Sequence, residues 1–194
     1  MDYIEQLDRA ILLFINGLHT PFMDEMMWQI SHQWIWIPLY VFILIFSFKT
    51  LNIKSFIFFI IGIGLCFLLA DRISVMGFKD VFLRYRPTHN VEIKDLIHTY
   101  IKSNGDEYRG GLYGFVSSHS ANFFALSTFL FLIFKSVSKW WRMLFIWAFL
   151  IGYSRVYLGV HYPLDVIGGA ILGTLIGIVV FKGLTTFTEL KEIE

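Results

Sequence analysis

The stretch SRVYLGVHYPLD, residues 154–165, places Arg155, His161 and Asp165 between two apolar runs. The run before it, Trp140 to Tyr153, is rich in Phe, Trp and Leu, and the run after it, Val166 to Phe181, in Ile, Gly and Val. Charged groups beside lipid are costly unless something neutralises them, and where they occur they mark functional sites. The stretch therefore reads as a polar turn between two membrane helices, held there for its chemistry.

The rest of the chain agrees with that reading. Of its 194 residues 56% are hydrophobic and only 16% charged, against about 25% charged in soluble domains. The net charge of +1 suggests no nucleic-acid partner. A crossing takes about 20 mostly apolar residues, and five segments come near it: Trp34 to Phe48, Phe56 to Met76, Phe115 to Phe134, Trp140 to Tyr153 and Val166 to Phe181. Backbone polar groups in lipid must pair within the segment, so these segments should be helices. The expected fold is all-α, a polytopic membrane bundle of five or six spans in a single domain, residues 1–194, with an outward-facing site. Cys66, the lone cysteine, lies in an apolar run and reads as a packing residue.

Residues 1–33 form an N-terminal segment. Ile4, Leu7, Ile11, Phe14 and Leu18 recur at spacings of three and four with Glu5, Asp8 and Arg9 among them, the pattern of an amphipathic interfacial helix. A short sixth span is the alternative there. The acidic start, MDYIEQLDRA, is unlike a signal peptide, so no cleavage is expected. Lys49 and Lys54, then Lys135, Lys139 and Arg142, sit in short connections, and Lys182 opens a tail over residues 182–194. The positive-inside rule makes these cytoplasmic. The long loop, residues 79–114, and the stretch 154–165 then share the outer face.

Three polar clusters gather on that face: Lys79 to Pro87 (KDVFLRYRP), Phe115 to Ser120 (FVSSHS) and the opening stretch. Lys79, Arg86 and Arg155 suit a phosphate, the two arginines offering planar forks to its oxygens. Ser117 or Ser118 is the candidate N-cap of the third span, whose free N–H groups point into the same space. Asp165, four residues after His161, should share a helix face with it and hold one ring nitrogen protonated, leaving the other as a nucleophile toward phosphorus. His119 is placed to give a proton to the departing oxygen. No HExxH and no carboxylate cluster at metal-ligand spacing occurs, so neither metal nor cofactor is expected. His19, His32, His89 and His98 read as hydrogen-bonded structural histidines. Glycines at 105, 110, 111 and 114 suggest a mobile loop over the site.

These residues resemble the type 2 phosphatidic acid phosphatase superfamily, whose motifs are K-x6-RP, PSGH and SR-x5-H-x3-D. Lys79, Arg86 and Pro87 match the first, and Ser154, Arg155, His161 and Asp165 the third, in order and spacing. In the middle motif Ser117 and His119 match, while Val116 stands for Pro and Ser118 for Gly. A side chain at 118 is expected to crowd a backbone N–H that would approach the phosphate. The resemblance implies a phosphohistidine on His161, oriented by Asp165, with His119 as proton donor. Lys79, Arg86, Ser117 and Arg155 would bind the phosphate, helped by the Ser118 backbone.

It also implies a phosphatase of a bacterial cytoplasmic (inner) membrane, acting on a membrane lipid at the periplasmic or outer side. The leading expectation is undecaprenyl diphosphate as substrate; the alternatives are lipid A, phosphatidylglycerol phosphate or phosphatidic acid. A lipid phosphotransferase or a non-enzymatic lipid-binding or transport protein would use the same anion site. The sequence does not specify an oligomeric state.

Overall fold

The computed structural model describes residues 3–186, and every regular element among them is helical. Helix α1 spans Tyr3–Asn16 and α2 spans Pro21–Ser31. The Thr20 hydroxyl accepts the Met23 N–H at 3.2 Å, and Pro21 fills the first helical position, whose N–H would have no partner. Helix α3 is Ile37–Thr50 and α4 is Ile53–Arg72, begun by Asn52, whose side chain accepts from the Ser55 N–H. The helix widens to π geometry over Ile73–Lys79 and closes with a last turn, α5, at Asp80–Phe82. Helices α6 (Ser118–Phe134), α7 (Met143–Tyr157) and α8 (Pro163–Thr185) complete the bundle.

All five expected apolar segments are helical, but their bounds move. The third begins at Ser118 rather than Phe115, and the long loop gives up Lys79 to Phe82 to helix. The fourth runs on to Tyr157, so Ser154 and Arg155 form its last turn and only residues 158–162 connect it to α8. Lys182 lies inside α8, not at the start of a tail; residues 187–194 lie outside the described residues. Two helical stretches, Ile53–Phe82 and Pro163–Thr185, are long and apolar enough to cross a membrane, and α2 joined to Trp34–Thr50 makes a third if that bent pair is one span. Among the described residues the count by length and composition is thus two or three, because α6 and α7 have only 17 and 15 residues.

Helix α6 is the axis of the bundle. Its Ala125, Phe129, Leu130 and Phe134 are fully enclosed. Phe134 stacks on Trp141 at 4.6 Å, and Phe123 meets the edge of Trp147 at 4.9 Å. Helix α8 runs beside α6 along Gly169, Gly173 and Gly177: a Cβ at Gly173 would lie 2.2 Å from the Ala121 carbonyl oxygen, and one at Gly177 2.6 Å from that of Ala125. Small residues one turn apart let two backbones approach where no water drives the helices together. The opposite face of α8 exposes Ile167, Ile171, Leu175 and Val179, as a lipid-facing surface requires.

Helix α1 is turned the same way. Ile4, Leu7, Ile11, Phe14 and Leu18 are exposed, while Asp8, Leu12 and Asn16 are buried. The expected apolar stripe faces outward, and it is a polar face that meets the bundle. Asn16 donates to the Tyr157 and His98 carbonyls at 2.8 and 2.9 Å and accepts the His98 N–H at 2.9 Å. The end of α5, the starts of α6 and α8 and the end of α7 lie together at one end of the molecule. Lys54, Lys135, Lys139, Arg142 and Lys182 lie at the other ends of those helical stretches, and Lys49 ends α3, just before α4 begins beside Lys54.

Adding side-chain bulk at the α6–α8 contact should therefore be destabilising. Gly173→Val should lower the Tm of the detergent-solubilised protein by an amount equivalent to about 1–3 kcal/mol. Gly183→Ala, where a Cβ meets nothing within 4 Å, should leave Tm unchanged or raise it, since Ala is favoured over Gly in a helix by about 1 kcal/mol. Equal shifts in thermal unfolding would contradict the contact.

Candidate active site

Asp165 sits at the third position of α8, and its carboxylate turns back to accept the Tyr162 N–H at 3.0 Å, capping the helix. The same Oδ2 faces Nδ1 of His161 at 3.3 Å. His161 lies two residues before α8 begins, so the pair meets through this cap and not on a shared helix face as the four-residue spacing suggests. A carboxylate only accepts, so Nδ1 carries the proton and Nε2 holds the free lone pair. The Arg86 guanidinium reaches Nε2 at 3.0 Å, a donor meeting an acceptor. His161 and Asp165 are almost wholly buried. Burial, together with the charges of Arg86, Arg155 and Lys79, holds the His161 ring well below the usual imidazole range and keeps it neutral.

Arg86 is itself fixed, donating to the Tyr113 and Val160 carbonyls at 3.1 Å each. Burial and the Arg155 charge lower its guanidinium to about 10, still cationic at neutral pH. Lys79 donates to the Ser118 hydroxyl at 2.6 Å, and Ser118 in turn pairs with Ser74 at 2.7 Å. The side chain at 118 thus holds a lysine. Of the two candidate caps, Ser117 is the N-cap of α6, accepting the Ser120 N–H at 3.4 Å, and its own N–H donates to the Asp165 carbonyl at 2.9 Å. Arg155 donates to the hydroxyls of Ser31 and of Tyr108, the latter at 2.5 Å. It shares with His119 the wall of a cavity of about 390 Å³. All eight expected residues therefore gather at one end of the bundle, with Arg86, His161 and Asp165 in direct contact.

Two members of the arrangement escaped the sequence reading. Arg84 donates to Asp165 Oδ1 at 2.8 Å and to Asp8 at 2.7 Å, and its guanidinium lies 4.1 Å from the centre of the Tyr162 ring. Asp8 is buried and also accepts the Leu164 N–H at 2.9 Å. Asp8, Leu12 and Asn16 are spaced by four, off the apolar stripe, and that spacing was the available signal. Two of the loop glycines have a steric role beside the site. Gly110, at φ +68°, lies where a Cβ would be 2.9 Å from the Arg86 guanidinium, and a Cβ at Gly114 would be 2.7 Å from the Asp165 carboxylate. They let the backbone close on the site, and the loop is tied down by the Arg86 N–H to the Leu112 carbonyl and the Gly114 N–H to that of Arg84.

Of the histidines read as structural, His98 pairs with Asp24 at 2.8 Å and stacks on His19 at 3.9 Å, and His89 meets the Thr88 hydroxyl. His32 instead lines the cavity beside His119. In a titration of the ligand-free, ¹⁵N-histidine-labelled protein, the His161 ring should stay neutral as pH falls through about 6.5, where ordinary histidines charge. It should take its proton only at lower pH, because the folded protein disfavours the charged form. Protonation at or above pH 6.5 would show that the site does not hold the ring neutral.

The PAP2 superfamily pattern matches residues 54–189. The chain is similar to the lipid A 4'-phosphatase of Porphyromonas gingivalis, 34% identical over 94% of this chain and 75% of the relative. It is likewise similar to that of Bacteroides thetaiotaomicron, 37% identical over 89% and 75%. A weaker likeness, 33% over 75% of this chain and 62% of the relative, is to an undecaprenyl-diphosphatase of Sulfolobus acidocaldarius. In fold it matches the crystal structure of the transmembrane PAP2 type phosphatidylglycerolphosphate phosphatase from Bacillus subtilis, with TM-score 0.68 and 24% identity over 97% of this chain and 90% of that one. With its three polar clusters converging as the motif spacing requires and the superfamily pattern covering residues 54–189, this chain belongs to the PAP2 superfamily, a membrane phosphatase among membrane phosphatases.

Proposed function

We propose that this protein removes a terminal phosphate from a lipid A-type substrate, without a metal ion, by double displacement at His161. The observation that carries the mechanism is the His161 ring, with Nδ1 on the Asp165 carboxylate and Nε2 facing the Arg86 guanidinium. A phosphate drawn to Arg86, Arg155 and Lys79 would take Arg86 as its own partner and uncover the Nε2 lone pair. Nε2 then bonds to phosphorus as the bond to the leaving oxygen breaks, and His119 gives that oxygen a proton. In the second half, His119 takes a proton from water, the water oxygen bonds to phosphorus, and the P–N bond breaks to release inorganic phosphate.

The substrate assignment departs from the sequence expectation of undecaprenyl diphosphate. Relatives named lipid A 4'-phosphatase match this chain over nearly its whole length, whereas the undecaprenyl-diphosphatase likeness is shorter. We further propose a bundle of five spans in the cytoplasmic membrane of a bacterium, with the site facing outward. The gathering of the basic connections at the end away from the site supports this orientation.

Phosphate release by purified protein in detergent with EDTA present should be seen with lipid A and should exceed that from undecaprenyl diphosphate; His161→Ala should abolish it. Release that needs added metal, or that survives His161→Ala, would refute the mechanism. A phosphorylated acceptor lipid in place of free phosphate would make the protein a transferase.

His119→Ala should slow monoester hydrolysis far more than diphosphate hydrolysis in single-turnover measurements. An alkoxide needs a proton to leave, whereas a leaving phosphate, with its second pKa near about 6, does not. Equal losses on both would remove His119 as the proton donor.

A further inference from the structure

A second cavity, of about 390 Å³, opens between α3 and α7 at the end of the bundle away from the site. Leu39, Phe42 and Phe46 line it from α3, and Trp140, Leu144 and Trp147 from the other side. The lining residues cover two turns of each helix, so the groove runs along the helices for about 10 Å. Its walls are pinned to the bundle: Phe134 of α6 stacks on Trp141 at 4.6 Å and meets Phe46 edge-on at 5.3 Å, while Phe46 and Trp141 lie 5.1 Å apart. Three cations stand at its mouth. Lys49 follows Phe42 and Phe46 on one face of α3, at spacings of four and three, and Lys139 and Arg142 flank Trp140 and Trp141 in the turn that opens α7. The Arg142 guanidinium donates to the Lys139 carbonyl at 3.0 Å, which keeps the two beside each other. All three side chains are exposed, and none is paired with a carboxylate among the described residues.

We propose that this groove holds one acyl chain of an anionic phospholipid whose phosphate lies against Lys49, Lys139 and Arg142, a lipid site separate from the site of reaction. Charge selects the occupant. An apolar helix or a neutral lipid would fill the groove and leave three like charges unmatched, whereas a phosphodiester at the mouth matches them. The described carboxylates lie on α1 and α2, at the end of α4, on α5, in the long loop and at the start of α8, so those residues supply no counter-ion here. The positive end of the α7 dipole points the same way. The bound lipid is neither substrate nor product. Arg142 and Arg155 are thirteen residues apart along one helical stretch, about 20 Å, which puts a phosphate at the mouth out of reach of His161. A lipid held by both walls braces α3 against α7, so its binding should also read out as stability.

Two measurements on the full-length protein in detergent test the site. In the first, native mass spectrometry compares phosphatidylglycerol with phosphatidylcholine of the same acyl chains. One phosphatidylglycerol should be retained with an affinity at least about tenfold tighter. Combining Lys49→Gln, Lys139→Gln and Arg142→Gln, all at exposed positions, should remove that preference. Lys182→Gln, on α8, which lines no part of the groove, should leave it. Met143→Phe, which narrows the groove, should weaken retention of both lipids. An excess of inorganic phosphate, which competes for the cations around His161, should not displace the lipid. Equal retention of the two lipids would overturn the proposal. So would a preference that survives the triple substitution or that inorganic phosphate abolishes.

In the second, thermal unfolding is followed with each lipid added. Phosphatidylglycerol should raise Tm more than phosphatidylcholine does. The triple variant should match the unaltered protein without lipid and lose the extra rise. A rise that persists in the triple variant, or that Lys182→Gln removes equally, would mean diffuse attraction to a basic surface and would overturn the site. Neither readout needs turnover, so a protein that retains phosphatidylglycerol yet releases no phosphate from any lipid would refute the phosphatase reading and leave the lipid site standing.

Discussion

The Asp165 carboxylate is the interaction on which the site depends. Buried at the start of α8, it accepts from Arg84 on one oxygen and from the Tyr162 N–H and His161 on the other. An ion out of water costs several kcal/mol unless its lone pairs are filled and its charge is balanced. Here the filling determines the architecture. The cap fixes where α8 starts, the ring contact fixes which nitrogen of His161 carries the proton, and Arg84 brings in the loop after α5. Arg84 also needs a second carboxylate, and Asp8 supplies it from α1 while accepting the Leu164 N–H. The N-terminal helix is therefore tied through two ion pairs to Asp165, the partner of the proposed nucleophile His161, although it lies outside the region that carries the superfamily motifs.

The close contact of α6 with α8 makes that geometry reproducible. With Gly169, Gly173 and Gly177 against the backbone of α6, the two helices run parallel and their N-terminal ends come level. Ser117 can then donate its N–H to the Asp165 carbonyl, and the Ser120 hydroxyl to that of Val166. Both helix starts carry the positive end of their dipoles, so two sets of favourable fields converge at the proposed phosphate site. A lipid-exposed helix has no hydrophobic force to press it against its neighbour, and steric fit between backbones takes that role.

The sequence made the helices and the candidate site residues legible because both are local or spaced properties. Apolar runs identify helices in lipid whatever their neighbours, and the spacing within KDVFLRYRP and SRVYLGVHYPLD picks out Lys79, Arg86, Arg155, His161 and Asp165 directly. Helix ends were less legible: Ser154 and Arg155 look like a turn by polarity, yet belong to α7, where Ser154 donates back to the Ile151 carbonyl of its own helix and Arg155 finds Ser31 and Tyr108. Asp8 and Arg84 were hidden for a related reason. An acidic residue in an amphipathic helix is ordinarily solvated, and only the pairing of residues 76 positions apart makes this one part of the site. The glycines of residues 104–114 illustrate the same limit, since a glycine for close approach and a glycine for mobility look alike until the neighbouring atoms are known.

Ser118 shows how a departure from a motif can be absorbed by its surroundings. Glycine at that place leaves room at the start of a helix, and a serine side chain projecting toward the anion would take that room away. The hydroxyl instead faces the π-helical segment, where the wider turn at Ile73–Lys79 presents Ser74 and Lys79 on the side facing α6. Lys79 is then held by a neutral acceptor rather than by a carboxylate. A carboxylate would cancel its charge, whereas a hydroxyl fixes its direction and leaves the charge for a phosphate. The serine therefore trades open space at the mouth of α6 for orientation of a cation, and the Ser74–Ser118–Lys79 chain couples the π-helical segment to the start of α6, beside the proposed anion site, by hydrogen bonds that a glycine has no side chain to make.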